Sequence, residues 1–167
     1  KLLIDSAKVK SFYEQTKQNY KWKDRVEFKE IYNQKDSLIN SCYALAVSGY
    51  NYDTLVVRFN QRTGYENKPG YYGLVDTDFN ELAKQADALK NIGDVSKPFQ
   101  FDDGWSIVKL VKREPARLKT FEEAKAEVTS IVQDQESKRL EEEYINKLKS
   151  IYRPKVYYDE LAKVFKK

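Results

Sequence analysis

The sequence predicts an α+β domain with helical arms at both ends. Three observations carry that class. Residues 26–32, Val-Glu-Phe-Lys-Glu-Ile-Tyr, alternate with the period of a strand. Pro98 to Phe101 and Trp105 to Val111 are two further strand-like runs joined across Asp103-Gly104. Between these runs lie segments whose apolar residues recur at helical spacing.

Taken in order, Leu2-Leu3-Ile4 is an apolar entry to a helix over residues 5–20. Val9, Phe12, Tyr13, Thr16 and Tyr20 form its stripe, with Asp5 or Ser6 as the N-cap. In the strand at 26–32, parity puts Val26, Phe28, Glu30 and Tyr32 on one face. Three of the four are apolar, so Glu30 is expected to point inward with them. Leu38, Ile39, Cys42, Leu45 and Ala46 make the next helix, with Gly49 as its terminator. Cys42 lies within that stripe and reads as a buried, inert thiol, because a reactive cysteine needs an exposed, electropositive setting.

A second helix carries Tyr52, Leu55, Val56 and Phe59, followed by a polar loop from Gln61 to Lys68. Gly70 to Leu74 reads as a strand. Its Gly-x-x-Gly also occurs in KH domains, but no basic helix accompanies it here. Asp78 or Asn80 can cap a third helix bearing Leu82, Ala83, Ala86 and Leu89. Pro98 suits a strand start because it lacks a backbone donor, and Gly104 is the expected residue of positive φ in the turn. In the last strand Ser106, Val108 and Leu110 share one face, and Trp105, Ile107, Lys109 and Val111 the other. Thr120-Phe121-Glu122-Glu123 is a capping box opening a helix to about Tyr152, where Pro154 stops it. Its stripe runs through Phe121, Ala124, Val128 and Ile131, then Leu140, Tyr144, Leu148 and Ile151. Val156 to Phe165 adds a short strand or helix.

Composition excludes several classes of function. With 41% hydrophobic residues in 167, the chain can build a core. Its 30 basic and 26 acidic residues are interspersed, a solvated surface with no nucleic-acid footprint. No apolar run approaches the roughly 20 residues of a membrane span. There is no histidine, which removes His-based metal sites, acid–base catalysis and hydroxyl–His triads. One cysteine cannot close an internal disulfide. The absence of methionine, even at position 1, reads as a processed or truncated chain, so the lack of a signal peptide says nothing about location.

The stretch Gly93-Asp94-Val95-Ser96-Lys97-Pro98, its short strand, and Gly104-Trp105-Ser106-Ile107-Val108-Lys109-Leu110 resemble the end of parvulin-type (PpiC-like) peptidyl-prolyl isomerase domains. That family pattern is Gly-acidic-aliphatic-Ser-x-Pro, a strand, then Gly-aromatic-His-Ile-aliphatic-Lys-aliphatic, and its histidine falls on Ser106. The strand at 26–32 is similar to the family's His-Ile-aliphatic strand, with Glu30 in the histidine's place. Phe59-Asn60-Gln61-Arg62 resembles the aromatic-Ser segment before the family's Cys or Asp, with Arg62 at that position. Gly70 to Leu74 is similar to the Gly-Gly-x-Leu-Gly strand, and Phe121-Glu122-Glu123 to the segment that opens the long helix in secreted foldases and periplasmic chaperones. The resemblance implies a parvulin-like four-stranded antiparallel sheet with surrounding helices. It also implies three parts: a helical segment 1–24, the parvulin-like domain 25–115 and a helical segment 116–167.

Prolyl isomerisation needs no cofactor, no metal and no covalent step. The barrier of about 18–20 kcal/mol comes from amide resonance. Catalysis therefore means holding proline in an apolar pocket and favouring the twisted amide. The resemblance points to Glu30, Ser106 and Arg62 as the polar centre. Parity places Glu30 and Ser106 on inward faces, and a hydrogen bond from the Ser106 hydroxyl to the Glu30 carboxylate is expected, with Arg62 near enough to pair. Phe79 and Leu82 or Ala83, helped by Phe99, are the expected proline-pocket residues, and Tyr71, Tyr72, Phe101 and Trp105 flank a peptide groove. Replacement of both family histidines implies weak or absent isomerase activity with the groove retained. A non-catalytic peptide-binding chaperone module and a homodimer through the terminal helices are the alternatives. Unfolded or extended polypeptides are the implied clients, in the periplasm or cell envelope.

Overall fold

The structure, a computed structural model, describes residues 5–64 and 67–153. The expected apolar entry at Leu2-Leu3-Ile4 and the element expected at Val156 to Phe165 lie outside the described residues, as do positions 65 and 66 of the polar loop. The chain divides into two compact units. One is Lys21–Leu118; the other combines the segment ending at Tyr20 with the segment starting at Lys119.

The central unit opens with β1, Lys21–Trp22, which pairs antiparallel with β6, Arg117–Leu118. These two-residue strands escape sequence reading because they are too short to show a period. Then come β2 (Arg25–Asn33), α2 (Asp36–Val47), α3 (Tyr52–Phe59), β3 (Tyr71–Asp76), α4 (Glu81–Asp87), β4 (Phe99–Phe101) and β5 (Gly104–Glu114). The sheet is antiparallel throughout, in the order β3-β2-β5-β4. The element order is the one read from residues 26 to 114, and the α+β class with a four-stranded sheet is as expected.

Helices α3 and α4 start where short polar side chains replace missing intrahelical partners. Asn51 accepts from Thr54 N and opens α3; Asn80 accepts from Ala83 N and opens α4. Gly49, at φ +94°, ends α2 in the left-handed conformation that glycine adopts without strain. Helix α4 covers one sheet face, burying Leu82, Ala83 and Ala86 against Val26, Phe28, Tyr72, Val108 and Leu110. Helices α2 and α3 cover the other, burying Ile39, Cys42, Tyr52, Leu55 and Val56 against Ile31 and Ile107. Cys42 is buried there, and burial pushes its thiol pKa up, so it stays protonated and inert.

The β4–β5 turn differs from the sequence expectation. Phe101 pairs with Gly104, leaving a two-residue loop whose positive φ, 54°, belongs to Asp102. Gly104 is required for another reason. A Cβ there would come within 2.7 Å of Tyr32 Cε2 and 2.8 Å of the Asn33 carbonyl. The glycine lets the hairpin end press against the last turn of β2.

The terminal unit pairs α1, Ser6–Thr16, with α5, a helix of 32 residues from Phe121 to Tyr152. Asp5 caps α1 through Ala7 N, and Thr120 and Glu123 form the expected capping box on α5. Val9, Tyr13, Tyr20, Ala124, Val128 and Val132 make the core. The Tyr13 hydroxyl donates to the Lys119 carbonyl at 2.6 Å, and Lys8 pairs with Glu136. The stripe expected to continue along α5 is not packed: Leu140, Tyr144 and Ile151 are exposed, and no described residue beyond Val132 is buried.

Candidate active site

The site grows from the pairing of β2 with β5. Glu30 lies opposite Val108 and Tyr32 opposite Ser106, so Glu30 and Ser106 are diagonal neighbours on the face that α4 covers. Between the pairs Glu27–Lys112 and Phe28–Leu110 the register shifts by one, leaving Val111 of β5 unpaired, and from there Phe28, Glu30 and Tyr32 follow one another along that face by simple alternation. Glu30 and Ser106 are both fully buried.

A carboxylate in such a place must be saturated with donors, because an isolated buried charge is costly. Ser106 Oγ donates to Glu30 Oε1 at 2.7 Å. The Tyr72 hydroxyl donates to Glu30 Oε2 at 2.9 Å, its ring stacked on Phe28 with centroids 4.8 Å apart. Arg62 Nε stands 3.3 Å from Glu30 Oε2, but its N–H is not aimed at that oxygen, so the contact is a charge pair and not a hydrogen bond. Burial nevertheless pushes the Glu30 pKa above the usual carboxylate range, against the opposing pull of Ser106, Arg62 and Tyr72. The Glu30 backbone is fixed as well, donating from its N–H to the Gly70 carbonyl at 2.6 Å. Gly70, at φ +63°, has no room for a Cβ, which would meet the Glu30 carbonyl oxygen at 2.2 Å.

Arg62 is brought to this point by the chain leaving α3. Asn60 Oδ1 accepts from Tyr32 N at 2.9 Å, and Gln61 N donates to the Tyr32 carbonyl at 2.9 Å. These bonds lash the end of α3 to the end of β2. The guanidinium then lies 4.1 Å from the Tyr32 ring centroid and 5.1 Å from that of Phe101. Its Nη1 donates to Asp102 Oδ2 at 2.6 Å. Burial works against the Arg62 charge, but Asp102 and Glu30 outweigh it and raise its pKa. Tyr32 in turn donates to Asp103.

Above this centre is an open pocket of 320 Å³, lined by Arg62, Tyr72, Asn80, Leu82, Phe101 and Asp102 together with Thr63 and Gly64. That volume lies at the lower end of those that hold small ligands. Glu30 is beneath it, both oxygens engaged; the charged groups at the pocket wall are Arg62 and Asp102. Among the described residues, the two carboxylates of this centre are both engaged, Glu30 by Ser106 and Tyr72 and Asp102 by Arg62. The arrangement can present a guanidinium donor beside aromatic and aliphatic walls.

The structure thus brings together Glu30, Ser106, Arg62, Tyr72 and Leu82. It separates others named from sequence. Phe79 is 53% exposed in the turn before α4 and does not line the pocket. Ala83 is fully buried among core residues, and Phe99 packs on that core from β4. Trp105 packs with Ile31 and Ile107 on the α2/α3 face, as its strand parity requires, and is therefore away from the pocket. Sequence reasoning placed Phe101 among the groove aromatics, and the structure puts it in the pocket wall; it assigned no role to Asp102 or Asn60 in this centre. Asn60 was legible only as a polar residue where α3 ends.

Residues 4–126 match the profile of the PPIC-type PPIASE domain. The chain belongs to that family. The parvulin-like PPIases of Rickettsia typhi and Rickettsia conorii are 25% and 26% identical to this PPIC-type chain over 119 residues, 68% of it. The chain spans less than half of those proteins, 42% of each. Among solved structures, one from the pair of SurA-like chaperones PEB4 and Cj1289 of Campylobacter jejuni superposes with a TM-score of 0.60 at 23% identity, over 94% of this chain and 65% of its own. The peptidylprolyl isomerase PrsA of Bacillus anthracis gives 0.50 at 18% identity, over 90% of this chain and 69% of its own. At these identities the solved structures speak for the fold: the parvulin-like arrangement of the PPIC-type domain.

Proposed function

We propose that this PPIC-type domain holds extended, proline-containing polypeptide segments in the pocket beside Arg62 and isomerises the prolyl bond slowly or not at all. The observation that carries this reading is the commitment of Glu30. Both of its oxygens are taken by Ser106, Tyr72 and Arg62 in a fully buried position. The centre therefore anchors Arg62 and has little capacity left to follow an amide as it twists. Only interactions stronger in the twisted state than in the planar one accelerate the reaction. On the family resemblance, Glu30 and Ser106 occupy the positions of the two histidines, and Arg62 that of the Cys or Asp. The aromatic and aliphatic walls from Phe101, Tyr72 and Leu82 suit a pyrrolidine ring, and Arg62 can donate to a flanking carbonyl.

The test is exchange spectroscopy on a proline-containing peptide mixed with the whole chain, alongside binding measured by chemical-shift perturbation. Binding with little added cis–trans exchange, weakened by Phe101→Ala in a chain of unchanged circular dichroism, is the expected result. Rapid exchange, or binding indifferent to Phe101→Ala, overturns the reading. The chaperone-like neighbours support unfolded or extended polypeptides as clients, and the description of Cj1289 as periplasmic supports an envelope location. A second reading, self-association through the terminal helices, is favoured by the exposed Leu140, Tyr144 and Ile151 of α5. Sedimentation at increasing concentration tests it.

A further inference from the structure

The sheet face under α2 and α3 is only half covered. Ile31 and Ile107 are buried there, but two residues further along each strand the half-buried Lys29 and Lys109 line a pocket of 390 Å³. The two lysines are Cα partners in the β2–β5 register. Directly opposed side chains have Cβ atoms about 4.5–5.5 Å apart, and like charges so placed repel. Asp53 accepts from Lys29 Nζ at 2.5 Å. Lys109 faces the Tyr52 ring at 5.6 Å, and no carboxylate of the described residues forms an ion pair with it. A positive charge is thus held on a concave surface with one acid for two bases.

Lys29 and Asp53 also line a second pocket, of 320 Å³, that continues past Lys68 and Tyr71. The rims of the two carry Tyr50, Val57 and Ile92, which are 43%, 77% and 66% exposed. Three large apolar side chains in solvent beside a line of lysines form a mixed groove, where a bare core-facing sheet would show neither.

We propose that this groove is a second polypeptide-binding surface, taking an extended segment whose carboxylates alternate with apolar side chains. A carboxylate set between Lys29 and Lys109 relieves their repulsion, and the neighbouring apolar groups of the segment cover Ile92 and Val57. An extended strand alternates its side chains with the period this arrangement needs. A polypeptide fits better than a nucleic acid, because Asp53 in the groove repels a continuous phosphate chain and two of the three exposed rim residues are aliphatic. The proposal goes beyond the pocket beside Arg62 and does not depend on it.

The test is fluorescence anisotropy of a fluorescein-labelled peptide, acetyl-Glu-Leu-Glu-Leu-Glu-amide, with the whole chain. Lys109→Glu should weaken binding at least tenfold and Lys109→Gln by less. Neither threatens the fold, since each removes a like-charge pair from the sheet. The same peptide with Lys for Glu should not bind. Binding should persist in Phe101→Ala, which separates this surface from the pocket on the other face. Absence of binding, or binding unmoved by Lys109→Glu, overturns the proposal. So does full competition by an equal concentration of a fifteen-residue oligothymidylate, which would assign the groove to polyanions in general.

Discussion

Replacing Ser106 by alanine tests the buried centre most directly. The Ser106 hydroxyl donates to Glu30 Oε1 at 2.7 Å, and both residues are fully buried, so no water can take its place without rearrangement. A hydrogen bond to a charged group contributes about 1.5–3 kcal/mol. Tyr72 and Arg62 still support the carboxylate through its other oxygen, which puts the expected loss for Ser106→Ala near the middle, about 2 kcal/mol at pH 7. The cost depends on pH in a defined direction. The Glu30 pKa is raised in the folded state, so its contribution to stability is full below the unfolded value of 4.5 and is lost as pH rises through the folded value. Ser106 is one of the groups that restrain that rise. Without it the pKa climbs further, and the penalty grows from acid to neutral. At pH 4, with Glu30 protonated, the hydroxyl meets a neutral acid and the loss falls to about 1 kcal/mol. Both tryptophans, Trp22 and Trp105, lie in the central unit, so urea unfolding followed by their fluorescence reads that unit. A loss below about 0.5 kcal/mol at pH 7, or equal losses at the two pH values, would refute the reasoning.

Three further outcomes are expected. Arg62→Met strips the buried carboxylate of its cation and should cost about 2–3 kcal/mol, less than the 3–5 of a fully buried pair because Arg62 keeps some solvent contact; the double variant with Glu30→Leu should recover most of it in the same urea assay. Gly104→Ala drives a methyl into Tyr32 and Asn33 and should cost about 1–3 kcal/mol, visible as a lowered urea midpoint. Arg139 and Lys8 hold the Glu136 pKa down at about 2. Its contribution is therefore present above pH 4.5 and lost as pH falls through 2, and carbon-detected titration of its side-chain carboxyl should show a midpoint near that value, moving up in high salt.

Much of this was legible in the primary structure because it follows from period and parity. Alternation in 26–32 and 105–111 puts Glu30 in one row with Phe28 and Ser106 in one row with Val108 and Leu110; the β2–β5 register then sets the two rows on one face. The cap at Thr120 and the terminator at Gly49 are local chemistry. What escaped depends on contacts distant in sequence. Gly104 reads as a turn glycine, yet it serves Tyr32, far off in the chain. Asn60 reads as a helix end, yet it ties α3 to β2 and so aims Arg62. Trp105 invited a groove role because it is aromatic and next to Ser106, but adjacent strand residues point to opposite faces. Phe79 failed for a different reason: one turn residue more or less decides whether a side chain before a short helix faces a pocket or solvent.

The strand order β3-β2-β5-β4 also has a consequence for how the chain acquires its structure. The two innermost strands are the first and the last long ones to be synthesised, and everything between them must be looped out before they meet. A nascent chain that stops short of residue 104 has a β2 with no inner neighbour and a Glu30 without Ser106. Closing so long a loop before its contacts repay the entropy slows assembly. Cooperative folding of the central unit should therefore begin only after residue 114 has cleared the ribosome, and truncated products should remain open to proteolysis until then.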